Sequence, residues 1–319
     1  MTEATARPRI VFVAANPSID RLHEVGKLTV GEIHRPNLVL AVPGGKGLNA
    51  ARAALTLGGN VTAVGIVSGR AGDWIVEQLS AIGLDARMAR STGETRMCMS
   101  VLDRASGELT EIYERGEPIA ADAWEELEST LARELDRGDV GAVALSGSLP
   151  LGAPADGFAR LARVAASRSV PFLADTYGAA LEGVLAEHPA IVKLNASEAG
   201  EAVGLSVVDA ASALVAAEIL RQRGAATAIV TLGVGGAVAV SASEAIRLVP
   251  PDVRGIYPVG SGDAFLGGLA VALVAGATFV EAARLGLAAG IANAEVPGAG
   301  ELDPASVPRI LDGVSLAAL

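Results

Sequence analysis

Residues 140–194 read VGAVALSGSLPLGAPADGFARLARVAASRSVPFLADTYGAALEGVLAEHPAIVKL, and their rhythm decides the fold class. Three short apolar runs, Val140–Leu145, Val170–Ala174 and Ala190–Leu194, alternate with helix-like stretches near Phe158–Ser167 and Ala179–Glu187. Strands that alternate with helices form a mainly parallel sheet covered by helices on both faces, an α/β architecture. The same rhythm runs outward. Upstream lie the apolar strand Ile10–Ala15, a helix over Leu48–Leu57 stopped by Gly58-Gly59, a strand over Asn60–Val67, a helix over Trp74–Ile82 and a charged amphipathic helix over Ala120–Arg137. Downstream come a helix near Ala210–Arg223, a strand at Ala228–Leu232, two short strands around Val238–Val249 and a long buried helix from Ala264, within a charge-free run to Val280. Two stretches break the rhythm, about 21–42 and 95–113; the second has alternating runs on either side of Ser106-Gly107, a hairpin signal. One domain over 1–319 is expected, with these two stretches forming a small β-sheet lid.

Composition bounds the function. Of the residues, 51% are hydrophobic but only 3% aromatic, so the apolar content is mostly Ala, Val and Leu, suited to close packing of helices on a sheet. A net charge of -11 argues against a nucleic-acid binder, which needs a basic face for phosphates. The single cysteine, Cys98, excludes a disulfide framework or Cys-rich zinc site and reads as a packed strand residue. The stretch from Met1 to Arg9 carries no apolar core of a signal peptide, and the run from Ala264 is short for a span. A cytoplasmic protein with no membrane or nucleic-acid partner is expected.

The chemistry gathers in glycine-rich turns. Gly260-Ser261-Gly262-Asp263 opens the helix from Ala264; small residues let backbone N–H groups point outward, and the helix dipole adds positive potential, an anion site suited to phosphate. A carboxylate in that turn would repel the phosphate, so Asp263 suits proton abstraction from an attacking hydroxyl, or acts only as the helix N-cap. Pro43-Gly44-Gly45-Lys46-Gly47-Leu48-Asn49 offers close backbone approach with Lys46 and Asn49 as donors. It lacks the Walker spacing, and Gly45-x-Gly-x-x-Ala50 matches a dinucleotide fingerprint only loosely, with no acidic residue ending the next strand. Asp20, in Asn16-Pro17-Ser18-Ile19-Asp20 beyond the first strand, can hold sugar hydroxyls or serve only its turn. Asn195 and Glu198, three apart at a helix start, offer oxygen ligands for Mg²⁺ or simply cap the helix. Thr231-Leu232-Gly233-Val234-Gly235-Gly236 can admit a nucleotide. Arg96, in Glu94-Thr95-Arg96, supplies a further cation.

In this order these motifs, together with Ser146-Gly147-Ser148-Leu149-Pro150 and Lys193-x-Asn-x-x-Glu, resemble the ribokinase-like sugar kinases of the phosphofructokinase-B branch, from about Val11 to Asn293. The resemblance implies ATP and Mg²⁺, transfer of phosphate to a primary sugar hydroxyl, and a β-sheet lid that serves homodimerisation in many members. By that similarity Asp263 is the base and Gly260, Ser261 and Gly262 form the anion hole. Asn195 and Glu198 act near Mg²⁺. Lys193, Asn195, Thr231, Gly233, Gly236 and Asn293 border the nucleotide, while Asp20, Gly44, Gly45 and Asn49 hold the sugar. Lys46 and Thr110-Glu111-Ile112 look like the 1-phosphofructokinases and tagatose-6-phosphate kinases. A substrate that already carries phosphate needs cations, which Lys46 and Arg96 supply, with Ser148 as a hydroxyl donor. Fructose 1-phosphate is the expected substrate, ahead of tagatose 6-phosphate and fructose 6-phosphate. An unphosphorylated sugar or nucleoside, a non-catalytic nucleotide sensor and an NAD-dependent dehydrogenase are the alternatives.

Overall fold

The computed structural model describes residues 7–253 and 255–319. Its frame is a ten-stranded sheet built from β1 (Arg9–Ala14), β4 (Val61–Ser68), β5 (Asp85–Ser91), β8 (Val140–Ser146), β9 (Phe172–Asp175), β10 (Ile191–Asn195), β11 (Thr227–Thr231), β12 (Ala237–Val240), β13 (Ala245–Val249) and β14 (Ser315–Ala317). The remaining strands, β2 (Ser18–Val25), β3 (Leu38–Gly44), β6 (Met97–Asp103) and β7 (Leu109–Tyr113), form a separate four-stranded sheet in the order β3-β2-β6-β7. The large sheet runs β14-β13-β12-β11-β10-β9-β8-β1-β4-β5, parallel from β11 to β5 and antiparallel at the β12–β14 edge. In the small sheet β2 pairs in parallel with β6, and the other two pairings are antiparallel.

Alternation along β1 explains the two cores. Ile10, Phe12 and Ala14 face one layer, while Val11 and Val13 face the other, because successive strand side chains point to opposite faces. The first layer is covered by the helices Lys46–Thr56, Ser261–Val274 and Phe279–Glu295. The second is covered by Ala121–Leu135, Gly157–Ala166, Gly178–Leu185 and Ala210–Gln222. Small residues replace aromatics at these contacts. A Cβ on Gly268 would lie 2.9 Å from the Ala289 Cβ, and one on Gly290 would lie 2.8 Å from the Ser261 carbonyl oxygen.

The charge-free run from Ala264 to Val280 is two helices rather than one. The first ends at Val274, Gly276 turns with φ 86°, and Thr278 and Glu281 form a reciprocal capping box that starts Phe279–Glu295. The helix expected from Trp74 begins five residues earlier, at Gly69. Strands β5 and β14 and the helix Ser306–Gly313 were not signalled by the sequence pattern. Cys98 is buried in β6. The stretches 21–42 and 95–113 supply most of the small sheet, which meets the body where the Glu24 carboxylate accepts a hydrogen bond from the Tyr257 hydroxyl at 2.5 Å. Among the described residues, no helix is long and apolar enough to cross a membrane.

Candidate active site

The motifs converge beyond the C-terminal ends of the parallel strands, where open α/β sheets form their crevices. The chain leaves β1 through Asn16 and Pro17, leaves β8 at Ser146, β9 at Asp175 and β10 at Asn195. The helix Lys46–Thr56 follows Gly45, whose φ is 84°. A Cβ on Gly47 would overlap the Val13 carbonyl, so this glycine lets the helix start against β1.

Asp263 is not the helix cap. That position belongs to Gly260, at φ 84°, and Asp263 stands in the first turn of Ser261–Val274. The residue is 7% exposed, and its carboxylate accepts a hydrogen bond from Asn49 Nδ2 at 3.0 Å. Burial, followed by the charge of Asp175, pushes its pKa up to about 7, although Lys46, Asn49 and Lys193 act in the opposite sense. Gly260 packs on the Ala299–Gly300 backbone with no room for a Cβ, and a Cβ on Gly262 would stand 3.2 Å from Lys193 Nζ. Ser261 Oγ is buried without a hydrogen-bond partner among the described residues. A free hydroxyl, the first-turn amides and a nearby ammonium thus surround one turn, a donor set suited to a phosphoryl group.

Two lysines share one carboxylate beneath this turn. Asp175 is wholly buried; its Oδ2 pairs with Lys193 Nζ and its Oδ1 with Lys46 Nζ at 2.9 Å. Burial alone would raise the Asp175 carboxyl, but Lys193 and Lys46 outweigh it and hold the group below its ordinary range. Lys46 Nζ also bonds Glu198 Oε1 at 2.7 Å and lies 5.7 Å from the centre of the Tyr177 ring. Burial disfavours its ammonium form, yet Asp175, Glu198 and Asp263 override this and shift its pKa upward. Asn195 and Glu198 form the reciprocal capping box of the helix Ala196–Val203, so Glu198 serves the cap with Oε2 and Lys46 with Oε1. Lys46 therefore stands among carboxylates on the β9–β10 side.

Asp20 lies across Asn49 from Asp263. Its Oδ1 accepts from Ser18 Oγ at 2.6 Å, and its Oδ2 accepts from Gly45 N and Asn49 Nδ2, both at 3.3 Å. Gly44 leaves room for the Asp20 carboxyl group, which a Cβ at this position would displace. Arg96 and Ser148 both meet Asn16: Arg96 Nη2 donates to its carbonyl at 3.2 Å, and its Nδ2 donates to Ser148 Oγ at 2.9 Å. Arg96 Nε is buried with no partner among the described residues.

On the β11 side, Thr231 is the register partner of Asn195, and Gly233 and Gly236 turn the chain at φ 55° and 87°. Asn293 is fully buried, and its amide donates to the Gly298 carbonyl at 3.2 Å and accepts from the Gly300 N–H at 3.4 Å. The glycines of the loose dinucleotide match follow β3, a strand of the small sheet, so the strand–turn–helix unit of a dinucleotide fold is absent there.

Two site residues escaped the sequence reading. Asp175 ends the apolar run Val170–Ala174, a carboxylate at a strand terminus. Arg52 is a lone charge on the small-residue helix Lys46–Thr56, yet it is only 3% exposed.

A sequence model described as pfkB family carbohydrate kinase matches residues 10–306. The chain is 31% identical over 290 residues to a tagatose-6-phosphate kinase of Staphylococcus epidermidis, covering 89% of this chain and 92% of that one. It is 32% identical over 280 residues to a 1-phosphofructokinase of Rhodobacter capsulatus, covering 88% of each. Among solved structures, the tetrameric inhibited form of phosphofructokinase-2 from Escherichia coli superposes with a TM-score of 0.86 at 28% identity, over 96% of this chain and 98% of that one.

Proposed function

The chain belongs to the pfkB family of carbohydrate kinases, phosphotransferases that act on a sugar hydroxyl with ATP as donor; from that premise we propose that it phosphorylates a primary hydroxyl of a ketose monophosphate. Fructose 1-phosphate, giving fructose 1,6-bisphosphate, is the first choice, followed by tagatose 6-phosphate and fructose 6-phosphate. The observation that carries this reading is the buried Asp263 carboxyl in the first turn of a glycine-capped helix, beside an unpartnered Ser261 hydroxyl.

In the proposed step, the sugar oxygen attacks the γ-phosphorus as its proton passes to an Asp263 oxygen. The bond from phosphorus to the β–γ bridging oxygen breaks, and ADP leaves. The amides of Gly260–Gly262 and the nearby Lys193 ammonium oppose the charge on the transferring group. Asn49 aligns the acceptor by bonding both Asp20, assigned to the sugar hydroxyls, and Asp263. Thr231, Gly233 and Gly236 are assigned to the nucleotide. Glu198 and Asn195 supply hard oxygen donors that suit Mg²⁺ holding its own waters and nucleotide phosphates. When bound, the ion would neutralise phosphate charge.

The pairing of Lys46 with Asp175 and Glu198 supports a role beside the transferring group, which leaves Arg96 as the better cation for the phosphate the substrate already carries. Closure of the small sheet as a lid would exclude water from ATP. The exposed Val30, Ile33, Val39, Ile112 and Tyr113 on that sheet and its connections support homodimerisation through it. The expected setting is the cytoplasm.

The testing experiment measures ADP release with Mg-ATP across fructose 1-phosphate, tagatose 6-phosphate, fructose 6-phosphate, free fructose and ribose. Turnover confined to the phosphorylated ketoses is the expected result, and preference for a free sugar would overturn the role of Arg96. The same assay yields a pH prediction. A base works only when ionised, so kcat/KM is expected to fall roughly tenfold per pH unit below about 7 and to level off above it. A profile flat down to pH 5 would exclude Asp263 as the titrating base.

A further inference from the structure

An asparagine amide has one end that accepts hydrogen bonds and one that donates, of nearly the same shape, so its surroundings decide which way it faces. Asn49 stands between two carboxylates, and both contacts require its NH₂: Nδ2 lies 3.0 Å from Asp263 Oδ2 and 3.3 Å from Asp20 Oδ2. Its oxygen faces Arg52, whose Nη1 donates to Asn49 Oδ1 at 3.3 Å. A guanidinium can only donate, so it accepts no other orientation of the amide.

Arg52 is itself held on every side. Nη1 also donates to the Pro43 carbonyl at the end of β3, while Nη2 donates to the Ala299 carbonyl and to Glu301 Oε1, each at 2.7 Å. A charge only 3% exposed is costly unless its donors are satisfied, and a branched fork reaches these separate acceptors where an ammonium cannot. The Ala299–Gly300 backbone that Arg52 grips also packs against Gly260, and Gly300 packs against Asn49.

We infer that Arg52 is a positioning residue: it fixes the Asn49 amide with its NH₂ toward Asp263 and Asp20, holding the base and the sugar-binding carboxylate in register across one side chain. The inference rests on the kinase reading above and adds to it a residue that touches neither substrate. Without Arg52 the amide oxygen loses its anchor, so the side chain can swing and its NH₂ no longer spans both carboxylates.

The test is a double-mutant cycle on the full chain. Arg52→Lys is expected to lower kcat by about 10–100-fold with the ATP KM within about threefold. In an Asn49→Ala background the same change should cost less than about threefold, because its effect passes through the amide that is gone. Glu301→Gln, which loosens Arg52 from its more exposed partner, should give a smaller loss that Asn49→Ala likewise absorbs, and it carries the cycle if Arg52→Lys does not fold. Multiplicative losses in both backgrounds, with either variant, would reduce Arg52 to a structural fastening and sink the proposal. Absence of wild-type turnover on every sugar would sink the kinase reading, and the role of Arg52 with it.

Discussion

Asp263→Asn is expected to lower kcat by about a thousandfold or more while leaving ATP affinity within about threefold of wild type. The side chain is close to isosteric and removes only the ability to take a proton. The same substitution should raise stability at alkaline pH. Burial, reinforced by Asp175, moves the carboxyl from an ordinary 3.8 to about 7, so the folded state holds this proton more tightly than the unfolded chain does. The stability linked to that proton is fully present below about pH 4 and is lost as pH rises through about 7. Above that, a carboxylate remains buried and ionised beside Asp175. Asparagine never ionises, so the variant should melt above wild type at pH 8, with the gap closing at pH 5. ATP titration, steady-state kinetics and melting curves at the two pH values separate these outcomes. Activity near wild type would remove Asp263 as the base. A variant that melts below wild type at pH 8 would show that burial does not strain the carboxylate.

That pairing of lost activity with gained stability follows from what the sequence could and could not announce. Gly260-Ser261-Gly262-Asp263 is legible because its chemistry is local: a turn that needs a positive φ, a helix start and a carboxylate all lie within four residues. The apolar run Val140–Leu145 and its successors are legible for a similar reason, since a strand buried on both faces needs no partner to declare itself. The pair Asn195 and Glu198 shows where local reading ends. The residues do cap a helix, as their spacing allows, yet Glu198 also holds Lys46 across 152 positions, and no spacing rule reports that. Asp175 and Arg52 lie wholly on that far side. Each is a single charge next to apolar residues, and its meaning appears only when the strand order sets β9 beside β10, or when the loop after Phe279–Glu295 folds back over the helix from Lys46. Asn293 has a second role that its motif position did not report: its amide ties the loop at Gly298 and Gly300. The break near Gly276 could have been read, because Thr278 and Glu281 spell a capping box across the end of the apolar run.

The charge layer that the sequence hid carries the second large effect. Lys193→Met is expected to destabilise the fold by about 3–5 kcal/mol, the cost of breaking a buried pair by removing one partner. Lys193 is 2% exposed and Asp175 is fully buried, so water cannot take the place of the lost ammonium. Methionine fills the space but leaves Asp175 with Lys46 alone, and Lys46 is shared with Glu198. For a chain of 319 residues, at about 2.1 cal/mol/K of unfolding entropy per residue, that loss corresponds to roughly 4–8 °C in Tm. The mechanism predicts its own rescue. In Lys193→Met/Asp175→Asn the stranded carboxylate is gone, and at least half of the lost stability should return even though two native polar groups have been replaced. If the double variant is less stable than the single one, Lys193 contributes through its packing rather than its charge. The kinetics should follow the same logic. The charge of Asp175 is the largest cause after burial of the high Asp263 pKa, and Lys193 opposes that shift directly as well as by neutralising Asp175. Lys193→Met should therefore move the acidic limb of kcat/KM to higher pH, and the double variant should bring it back down. A limb that stays in place in both variants would mean that the Asp175 pair fastens the fold without setting the protonation of the base.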